Sequence, residues 1–353
     1  MALSQIYVDP SIGTDTGLGT LVDPFGNIEY GIVQTTFDVT NGTLINVRDK
    51  GLNTIVADLI VSFNDTSVAA AWVPSVTAPI IIRGYSHASR DGGRGKISGG
   101  NLVSIADSNA AQGNVNFGFL HFIDMDLFDV GANRVVYLND HCGLLRCDVW
   151  GSTTGSGTYL VQLDNYSTIH TSRIRTAGAA GGAYYVDSGT LVAFNRLDGR
   201  GGTANTLCYN YTSTVAYRNI IICEPDRNSN GLTLINGSYG IQNSIWCSGG
   251  STGAGLLLSQ NTQGAPCIGN IVEGFNGVGG RGIAVDNYIR STHGNAVFDC
   301  TTPYDLTGID EFVVFGDNEI LTASAFTDAA NGDFSPVVIG NVREGHVPFE
   351  YLL

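Results

Sequence analysis

Short runs of β-branched and aromatic residues recur along the middle of the chain, separated by turns centred on Asp or Asn. The runs are short, of strand length, and show no helical periodicity, so they predict strands. Typical units are VVYLNDHCGLLRCDVWG and AYYVDSGTLVAFNRLDG, each with a strand, a turn and a second strand. The pattern predicts an all-β chain made of repeated units.

Two columns of residues keep a nearly constant spacing over six successive units. Leucine-rich and ankyrin signatures are absent, and a propeller blade needs a longer repeat, so the spacing predicts a parallel β-helix. In this solenoid, equivalent residues of successive coils lie above one another. The first column is Tyr137, Leu160, Tyr184, Leu207, Leu232 and Leu256, and the second is Cys147, Ser172, Asn195, Asn219, Asn243 and Asn270.

The second column predicts a structural ladder of side-chain amides. Asn195, Asn219, Asn243 and Asn270 would stack coil after coil and satisfy the turn backbone. Cys223 and Cys247, which are separated by one repeat, would stack inside the solenoid as small hydrophobic residues.

The repeat defines a single domain with different ends. Gly is spread through the 353 residues, and no change of composition marks a linker. We predict an N-terminal cap and first coil over 1–40, parallel β-helix coils over 41–307 that are regular only in their central part, and a closing coil with a short C-terminal arm over 308–353. The residues expected to form an attachment arm are Val342, Arg343, His346, Phe349 and Tyr351.

Composition narrows the classes of partner and compartment. The formal net charge of −15 would repel nucleic acid and anionic membranes, so neither is an expected partner. The N-terminal sequence MALSQIYVDPS has no basic region followed by an apolar region, which predicts synthesis without a signal peptide. The 7 cysteines include no CxxC pair, so we expect buried thiols and neither a disulfide framework nor a zinc site. No metal or cofactor is predicted.

A third column supplies candidate catalytic carboxylates, Asp140, Asp164 and Asp187. Glycoside hydrolysis needs two carboxylates about 5 to 10 Å apart, and outward-facing residues one or two coils apart would give such separations. The alternative is that these residues bind their own turn backbone, as Asx turns do. This second interpretation is favoured because the column continues as Asn210, Asn236 and Asn261.

Other polar residues have two interpretations each. Asp124 and Asp126 are expected on one face of a strand, either solvated or binding a cation. Lys50 and Lys96 lie outside the regular coils, so no lyase base is evident. Four arginines could bind an acidic glycan, but pairing with carboxylates of neighbouring coils is favoured. These arginines are Arg146, Arg173, Arg196 and Arg218. The histidines His121, His141 and His170 are expected to be structural.

The N-terminal segment IYVDPSIGTDTGLGTLVDPFGNIEYGI resembles the opening of pectate-lyase-like right-handed parallel β-helix proteins. The shared elements are the strand Tyr7-Val8-Asp9, the turn Gly13-Thr14-Asp15 and the motif Asp23-Pro24-Phe25. The later stretches PIIIRGYS and GKISGG are similar to early coils of the same proteins. The resemblance implies a single-stranded right-handed solenoid whose first coil is capped by a short helix from Ile28 to Val33.

Members of this superfamily without a signal peptide resemble bacteriophage virion proteins. The resemblance implies a homotrimeric structural protein at the virion surface, either a capsid decoration or a small spike, assembled in the host cytoplasm. Phage capsid or tail proteins are the expected partners, together with host or environmental polysaccharide. The alternative is an endo-acting polysaccharide depolymerase, a tailspike-type glycoside hydrolase or lyase. An intracellular assembly scaffold is a third hypothesis.

Overall fold

The computed structural model describes most of the chain. The described residues are 3–14, 16–34, 38–55, 59, 74–87, 91–99, 105–107, 118–130, 134–152, 159–176, 182–200, 206–225, 229–259, 266–286, 291–306 and 314–337. The chain divides into a first unit, Met1–Thr154 with Leu160–Thr168, and a second unit, Gly155–Tyr159 with Ile169–Leu353. No helix among the described residues is both long and apolar enough to cross a membrane.

The first unit contains three parallel sheets, named A, B and C in the order in which each coil visits them. The strands are β1 Ser4–Val8, β2 Thr43–Arg48, β3 Asn53–Thr54, β4 Ile80–Tyr85, β5 Gly95–Ser98, β6 Ala106–Asp107, β7 Leu120–Ile123, β8 Met125–Val130, β9 Val136–Leu138, β10 Gly143–Leu145, β11 Asp148–Ser152 and β12 Tyr159–Leu163. Sheet A has the order β1-β2-β4-β7-β10, sheet B the order β3-β5-β8-β11, and sheet C the order β6-β9-β12.

A short helix, α1 at Ile28–Gln34, contacts the first strand of this unit. Ile28 and Ile32, one turn apart and therefore on one face of the helix, are fully buried. The helix predicted over 28–33 is therefore present, with its apolar face against the solenoid. Burying this face removes apolar side chains and strand edges from water at the start of the chain.

The second unit repeats the same three sheets. Sheet A runs β13-β16-β19-β22-β25-β28-β31, sheet B runs β14-β17-β20-β23-β26-β29-β32 and sheet C runs β15-β18-β21-β24-β27-β30. Two further strands, β33 and β34, form an antiparallel pair. The elements are β13 Thr168–His170, β14 Arg173–Thr176, β15 Gly182–Val186, β16 Leu191–Ala193, β17 Arg196–Asp198, β18 Thr206–Asn210, β19 Val215–Tyr217, β20 Ile220–Cys223, β21 Asn230–Ile235, β22 Tyr239–Ile241, β23 Ser244–Cys247, β24 Ala254–Ser259, β25 Cys267–Ile268, β26 Ile271–Glu273, β27 Arg281–Val285, β28 Ser291–His293, β29 Ala296–Phe298, β30 Thr302–Asp305, β31 Val314–Gly316, β32 Glu319–Ile320, β33 Phe326–Asp328, the 3-10 helix η1 Ala329–Asn331 and β34 Asp333–Pro336.

The core of the second unit consists of inward-facing residues stacked in register. In sheet C the stacked and buried residues are Tyr184, Cys208, Leu232, Leu256 and Ile283. The predicted first column is therefore right at Tyr184, Leu232 and Leu256. It is wrong at Leu207, which lies one residue before the stacked Cys208.

The first unit shows the same kind of error. Tyr137 pairs with Gln162, so Leu160 lies two residues before the position that matches Tyr137. Turns of different length shift the register between coils, and a constant step in sequence cannot locate such shifts. The parallel β-helix itself is confirmed, because all described pairs within the three sheets of each unit are parallel and connect successive coils.

The cysteines are free thiols, and six of the seven are buried. Cys223 and Cys247 pair in register on adjacent strands, as predicted for an interior stack. Burial raises the pKa of Cys142 and of Cys147 to about 12. These thiols therefore stay protonated at neutral pH and act as small core residues.

The segment after β32 folds back over the outer face of sheet B in the second unit. Phe326, Ala329 and Phe334 of this segment form one buried cluster with Trp246 and Ile271 of the sheet. The Phe334 ring meets the Trp246 ring edge-on, with centroids 6.0 Å apart. The predicted closing coil is thus followed by a covering hairpin. The arm residues Val342, Arg343, His346, Phe349 and Tyr351 lie outside the described residues.

Candidate functional site

A ladder of asparagines fills the turn from sheet A to sheet B in the second unit. The Asn195 side-chain Nδ2 donates to the Ile169 carbonyl at 2.9 Å and to Asn219 Oδ1 at 3.0 Å. The backbone N–H of Asn195 also donates to Asn219 Oδ1, at 3.0 Å. The same contacts recur coil after coil through Asn195, Asn219, Asn243, Asn270, Asn295 and Asn318. Asn295 and Asn318 extend the predicted ladder of four, and the whole feature is structural.

Charged residues occupy the corresponding turn in the first unit. Arg146 donates twice to the Asp124 carboxylate, from Nε at 2.6 Å and from Nη2 at 2.9 Å. Arg83 Nη2 lies 3.2 Å from the same carboxylate. Arg146 therefore pairs with a carboxylate of the neighbouring coil, as favoured from the sequence. Asp124 is neither solvated nor left to a cation, because two guanidinium groups bind it.

The shared strand face predicted for Asp124 and Asp126 is wrong. Asp124 lies between β7 and β8 with a φ of 55°, so it belongs to the turn. Asp126 lies in β8, where Arg94 Nε is 3.0 Å from its Oδ1. Among the described residues, no group of three or more His, Cys, Asp or Glu could hold a metal ion.

The candidate catalytic column loses its register in the first unit. Leu163 pairs with Leu138, so Asp164 matches Asn139, and Asp140 lies one residue further along its turn. The Asp164 Oδ2 accepts a hydrogen bond from the Tyr137 hydroxyl at 3.0 Å. The side-by-side carboxylates that were expected from Asp140 and Asp164 are therefore not in matching positions.

The column is also out of register in the second unit. Val186 pairs with Asn210, so Asp187 matches Tyr211 and not the predicted Asn210. Asn210 is buried, and its Oδ1 accepts a hydrogen bond from Tyr184 at 2.7 Å. Asp187 Oδ1 accepts from the backbone N–H of Ser188 at 2.6 Å and from its hydroxyl at 3.1 Å. Both contacts are local to the turn, but they join neighbouring residues, whereas an Asx turn binds the N–H two residues further on.

A cluster of four tyrosines lies on the second unit, and we call it the tyrosine cluster. Tyr185 and Tyr209 pair across β15 and β18, with ring centroids 5.2 Å apart and planes within 12°. Tyr211 lies 6.3 Å from Tyr209, and Tyr159 lies 5.8 Å from Tyr185. All four rings are half-buried. Tyr185 and Tyr209 face outward, because Tyr184 and Cys208 beside them point into the core.

The phenol groups of the tyrosine cluster can form hydrogen bonds. Burial raises the pKa of Tyr159 and of Tyr209 above the usual phenol range. Each phenol can therefore donate and accept a hydrogen bond while its ring supplies apolar surface. Asp187 lies near the cluster, just after the end of β15, and its charge adds to the rise in the pKa of Tyr209. An apolar surface with phenol hydroxyls and one carboxylate suits a polyhydroxylated ligand.

Comparison with known proteins supports the fold. No protein-family model matches the sequence, and neither does any curated protein. A GH136 lacto-N-biosidase from Eubacterium ramulus is similar with a TM-score of 0.50 and 11% identity, over 90% of this chain and 68% of that chain. Pectate lyase Pel9A gives a TM-score of 0.44 and 11% identity, over 97% and 87% of the two chains. Tailspike protein 3 of bacteriophage CBA120 gives 0.35 and 11%, over 89% and 61%.

The chain has a parallel β-helix fold. The resemblance stated from the N-terminal residues is therefore confirmed for the architecture. At these identities the likeness concerns the fold alone, so the activity must be argued from the chain's own residues.

The other predicted polar residues of this β-helix have structural contacts. Burial lowers the pKa of His121, and His170 Nδ1 lies 2.6 Å from the Thr171 hydroxyl oxygen. Arg218 Nε donates to Gln242 Oε1 at 2.7 Å, which differs from the carboxylate partner expected for it. Arg196 lies over the Phe334 ring with its Cζ 5.7 Å from the centroid.

The tyrosine cluster is the feature that sequence reasoning missed. Tyr185 and Tyr209 are separated by one repeat, as members of one column must be. The signal is present in the sequence, but the outward-facing prediction considered only the carboxylates Asp140, Asp164 and Asp187. A search for outward tyrosines at the same spacing could have found this pair, whereas Tyr159 needed the three-dimensional structure.

Proposed function

We propose that this chain is a non-enzymatic β-helix protein of a bacteriophage particle that binds glycan through the tyrosine cluster. The observation that carries the binding role is the set of four half-buried rings in mutual contact, of which Tyr185 and Tyr209 face outward. The proposal for the particle rests on the sequence resemblance to virion proteins. The fold agrees with both parts but does not by itself select them.

The chemistry of the cluster favours an uncharged glycan. Phenol hydroxyls exchange hydrogen bonds with sugar hydroxyls, and the ring edges cover the apolar C–H groups of a sugar. Asp187 would accept a sugar hydroxyl and repel an acidic sugar. The formal net charge of −15 acts in the same direction over a longer range. A neutral polysaccharide is therefore the expected ligand class.

The carboxylates favour binding over cleavage. Acid-base hydrolysis needs two carboxylates at a matched separation, with one of them held protonated. Asp140 and Asp164 do not match in register, and Asp164 accepts a hydrogen bond from Tyr137. Asp187 is fixed by Ser188. These contacts are those of turn residues.

The free cysteines agree with a role as a virion protein. Seven free cysteines suit a protein that folds in a reducing cytoplasm before it joins a particle. The stacked coils would give a rigid element, of which three copies would associate on the particle. We propose the residues from Val342 onward as the element that docks on a capsid or tail protein.

The binding proposal is tested by titrating the full chain with a panel of neutral and acidic bacterial polysaccharides. Replacing Tyr185 and Tyr209 by Ala should weaken binding of the neutral ligand at least tenfold, because each ring loses contact area and a hydrogen bond. Tyr239→Ala is the matched control, because Tyr239 is an exposed tyrosine, 40% accessible, in β22 of sheet A. The control should bind as the unmodified chain does.

The same samples separate binding from cleavage. Sustained release of reducing ends would identify a depolymerase and overturn the non-enzymatic proposal, and Asp187→Asn would then be the first variant to assay. Equal binding by the double tyrosine variant and the unmodified chain would overturn the role of the cluster.

The particle proposal needs its own experiment. Purified chain should sediment as a trimer, and antibody against it should label purified phage particles that carry its gene. A chain truncated before Val342 should lose incorporation into particles. Full incorporation of the truncated chain would exclude the arm as the docking element.

A further inference from the structure

Three ring side chains occupy one turn position in the first unit, between sheet C and sheet A. The Phe119 and His141 rings stack with centroids 4.9 Å apart and planes within 11°. The His141 and Tyr166 centroids are 5.5 Å apart. The backbone N–H of Phe119 donates to the Asp140 carbonyl, and that of His141 donates to the Asn165 carbonyl, both at 2.9 Å. The three residues, which we call the turn row, therefore occupy equivalent positions in successive coils.

Each residue of the turn row has a left-handed backbone. The φ angles are 56° at Phe119, 55° at His141 and 54° at Tyr166. This region is unfavourable for bulky L-residues, because Cβ approaches the following carbonyl oxygen. Three such residues in succession are a conformational cost at this turn, as are the left-handed residues Asp124 and Arg146 at the turn from sheet A to sheet B.

The same turn position in the second unit has small residues. Gly189 and Ser213 make the same backbone hydrogen bond to the next coil, and Gly237 follows Ser213 in this series. Their φ angles are 77°, 56° and 79°. Glycine adopts this conformation without the Cβ clash. The turn itself therefore does not require a ring.

Burial does not offset the strain at His141 and Tyr166, whereas Phe119 is half-buried. Tyr166 is 67% exposed, and His141 is exposed as well. A ring that contributes to the core would be covered, as Tyr184 is. Strained and exposed side chains are typical of positions that contact a ligand.

We propose that the turn row is a saccharide-binding strip, separate from the tyrosine cluster. The inference rests on the glycan-binding function proposed above and adds a second site to it. Tyr166 offers open ring surface for the C–H groups of an uncharged sugar. Asp140 and Asn165, which precede His141 and Tyr166, are half-buried polar residues of the same turns and could bind the sugar hydroxyls. The row is narrow and flanked by polar residues, which suits a sugar chain better than a broad protein interface.

Tyr166→Gly tests the strip, because it removes the ring and relieves the backbone strain at the same time. Its matched control is Ser213→Gly, which relieves the same conformation at an exposed turn of the second unit. We expect both variants to unfold at or above the midpoint temperature of the unmodified chain. Only Tyr166→Gly should weaken binding, at least fivefold, to the neutral capsular polysaccharide that the unmodified chain binds.

A second readout follows the His141 ring directly. In protein labelled with ¹³C-histidine, the His141 ring signal should shift on addition of that polysaccharide, and the shift should persist in the double Ala variant of Tyr185 and Tyr209. A lower unfolding midpoint for Tyr166→Gly would show that the ring is structural and overturn the strip. Unchanged binding or an unmoved His141 signal would also overturn it.

The outcomes distinguish the two proposals. If the tyrosine double variant loses binding while Tyr166→Gly does not, the strip fails and the function proposed for the tyrosine cluster stands. If the unmodified chain binds no polysaccharide of the panel, glycan binding fails, and the strip fails with it.

Discussion

The two units stabilise the turn from sheet A to sheet B with different side chains. In the second unit the residue after the left-handed turn position is an asparagine that stays buried and bonds to both neighbouring coils. In the first unit the equivalent residues are the buried Met125 and Cys147, and the preceding residues Asp124 and Arg146 form an ion pair instead. A ladder of neutral amides can continue from coil to coil, whereas the ion pair joins only two neighbouring coils.

The difference has consequences for stability. The amides of the ladder are hydrogen-bonded and, apart from the half-buried Asn318, buried, so their contribution depends little on salt or pH. The Asp124 and Arg146 pair is partly exposed, with 42% of the arginine side chain accessible, so water and salt weaken it. We therefore expect the stability of the second unit at this turn to depend on packing and hydrogen bonds, and that of the first unit to depend on charge.

The largest effect should come from breaking the ladder in its middle. Asn243→Ala removes the acceptor for the backbone N–H and side-chain Nδ2 of Asn219 and takes a donor away from Asn270 Oδ1. Each buried group left unpaired costs about 1–3 kcal/mol, so we expect a loss of about 4 kcal/mol. The change would appear as a lower unfolding midpoint by circular dichroism.

The control for the ladder is Asn331→Ala. Asn331 is an exposed asparagine whose Nδ2 bonds to Asp328 at 2.8 Å. We expect its removal to cost less than about 0.5 kcal/mol. A similar small loss for Asn243→Ala would contradict the structural role of the ladder.

The next effect concerns the charged turn of the first unit. Asp124→Asn leaves the guanidinium groups of Arg83 and Arg146 without their carboxylate, and we expect a loss of about 2 kcal/mol. Salt should reduce the difference between variant and unmodified chain, because Arg146 is accessible to ions. The measurement is the unfolding midpoint at low and high ionic strength.

A double variant checks the pairing itself. If Asp124 and Arg146 act together, Asp124→Asn with Arg146→Met should cost less than the sum of the two single changes. Additive losses would show that the pair contributes nothing beyond its separate contacts.

A smaller effect concerns two buried acids, Asp9 and Glu273, whose pKa values are shifted in opposite directions. Burial alone would raise the pKa of Asp9, but hydrogen bonds from Ser11 and Arg48 outweigh it and hold this pKa below its usual range. Its stabilising contribution is present above the unfolded value of about 4 and is lost as pH falls. In β26, beneath the covering hairpin, burial raises the pKa of Glu273, against hydrogen bonds from Ser324 and Ala325 of the hairpin. The contribution of Glu273 is complete below its unfolded value of about 4.3 and is lost as pH rises through the raised pKa.

The two acids therefore predict opposite trends. Asp9→Asn should lower stability by about 1 kcal/mol at pH 7, and this difference should shrink below about pH 4. Glu273→Gln should match or exceed the unmodified chain at pH 7 and lose that advantage on acidification. Parallel trends for both variants in unfolding midpoints between pH 3 and 7 would contradict the assignment.

Sequence predicted the repeat and missed the exact register. Asn195 to Asn270 were found because the turn fixes one amide per coil, so chemistry and spacing agree. Asp140 was aligned with Asp164 because both follow a strand, yet the turn after β9 has one more residue before its aspartate. Such a shift leaves no mark in composition, and only backbone pairing reveals it.

The covering hairpin was also beyond reach of the sequence. Phe326 and Phe334 look like strand residues of another coil, and the contact of Phe334 with Trp246 joins positions that are several coils apart in the chain. Periodicity predicts contacts between neighbouring coils only. A segment that reverses over the outer face breaks the repeat, and its docking depends on the shape of the surface that the repeat has already built.

The smallest predicted effect concerns a buried hydroxyl that, unlike the ladder amides, has no hydrogen-bond partner among the described residues. Thr233 in β21 pairs with Tyr209 of the tyrosine cluster, is 2% exposed, and its Oγ1 has no hydrogen-bond partner among the described residues. Thr233→Val replaces the hydroxyl by a methyl group of similar size and removes the cost of burying an unpaired oxygen, so we expect a gain of about 1 kcal/mol in the free energy of unfolding, measured by chemical denaturation. The control is Thr190→Val, because the Thr190 hydroxyl donates to the Asp187 carbonyl at 2.6 Å and its loss should destabilise the chain. Destabilisation by both changes would mean that the Thr233 hydroxyl is bonded in solution, and the contrast between satisfied and unsatisfied buried groups in the second unit would then disappear.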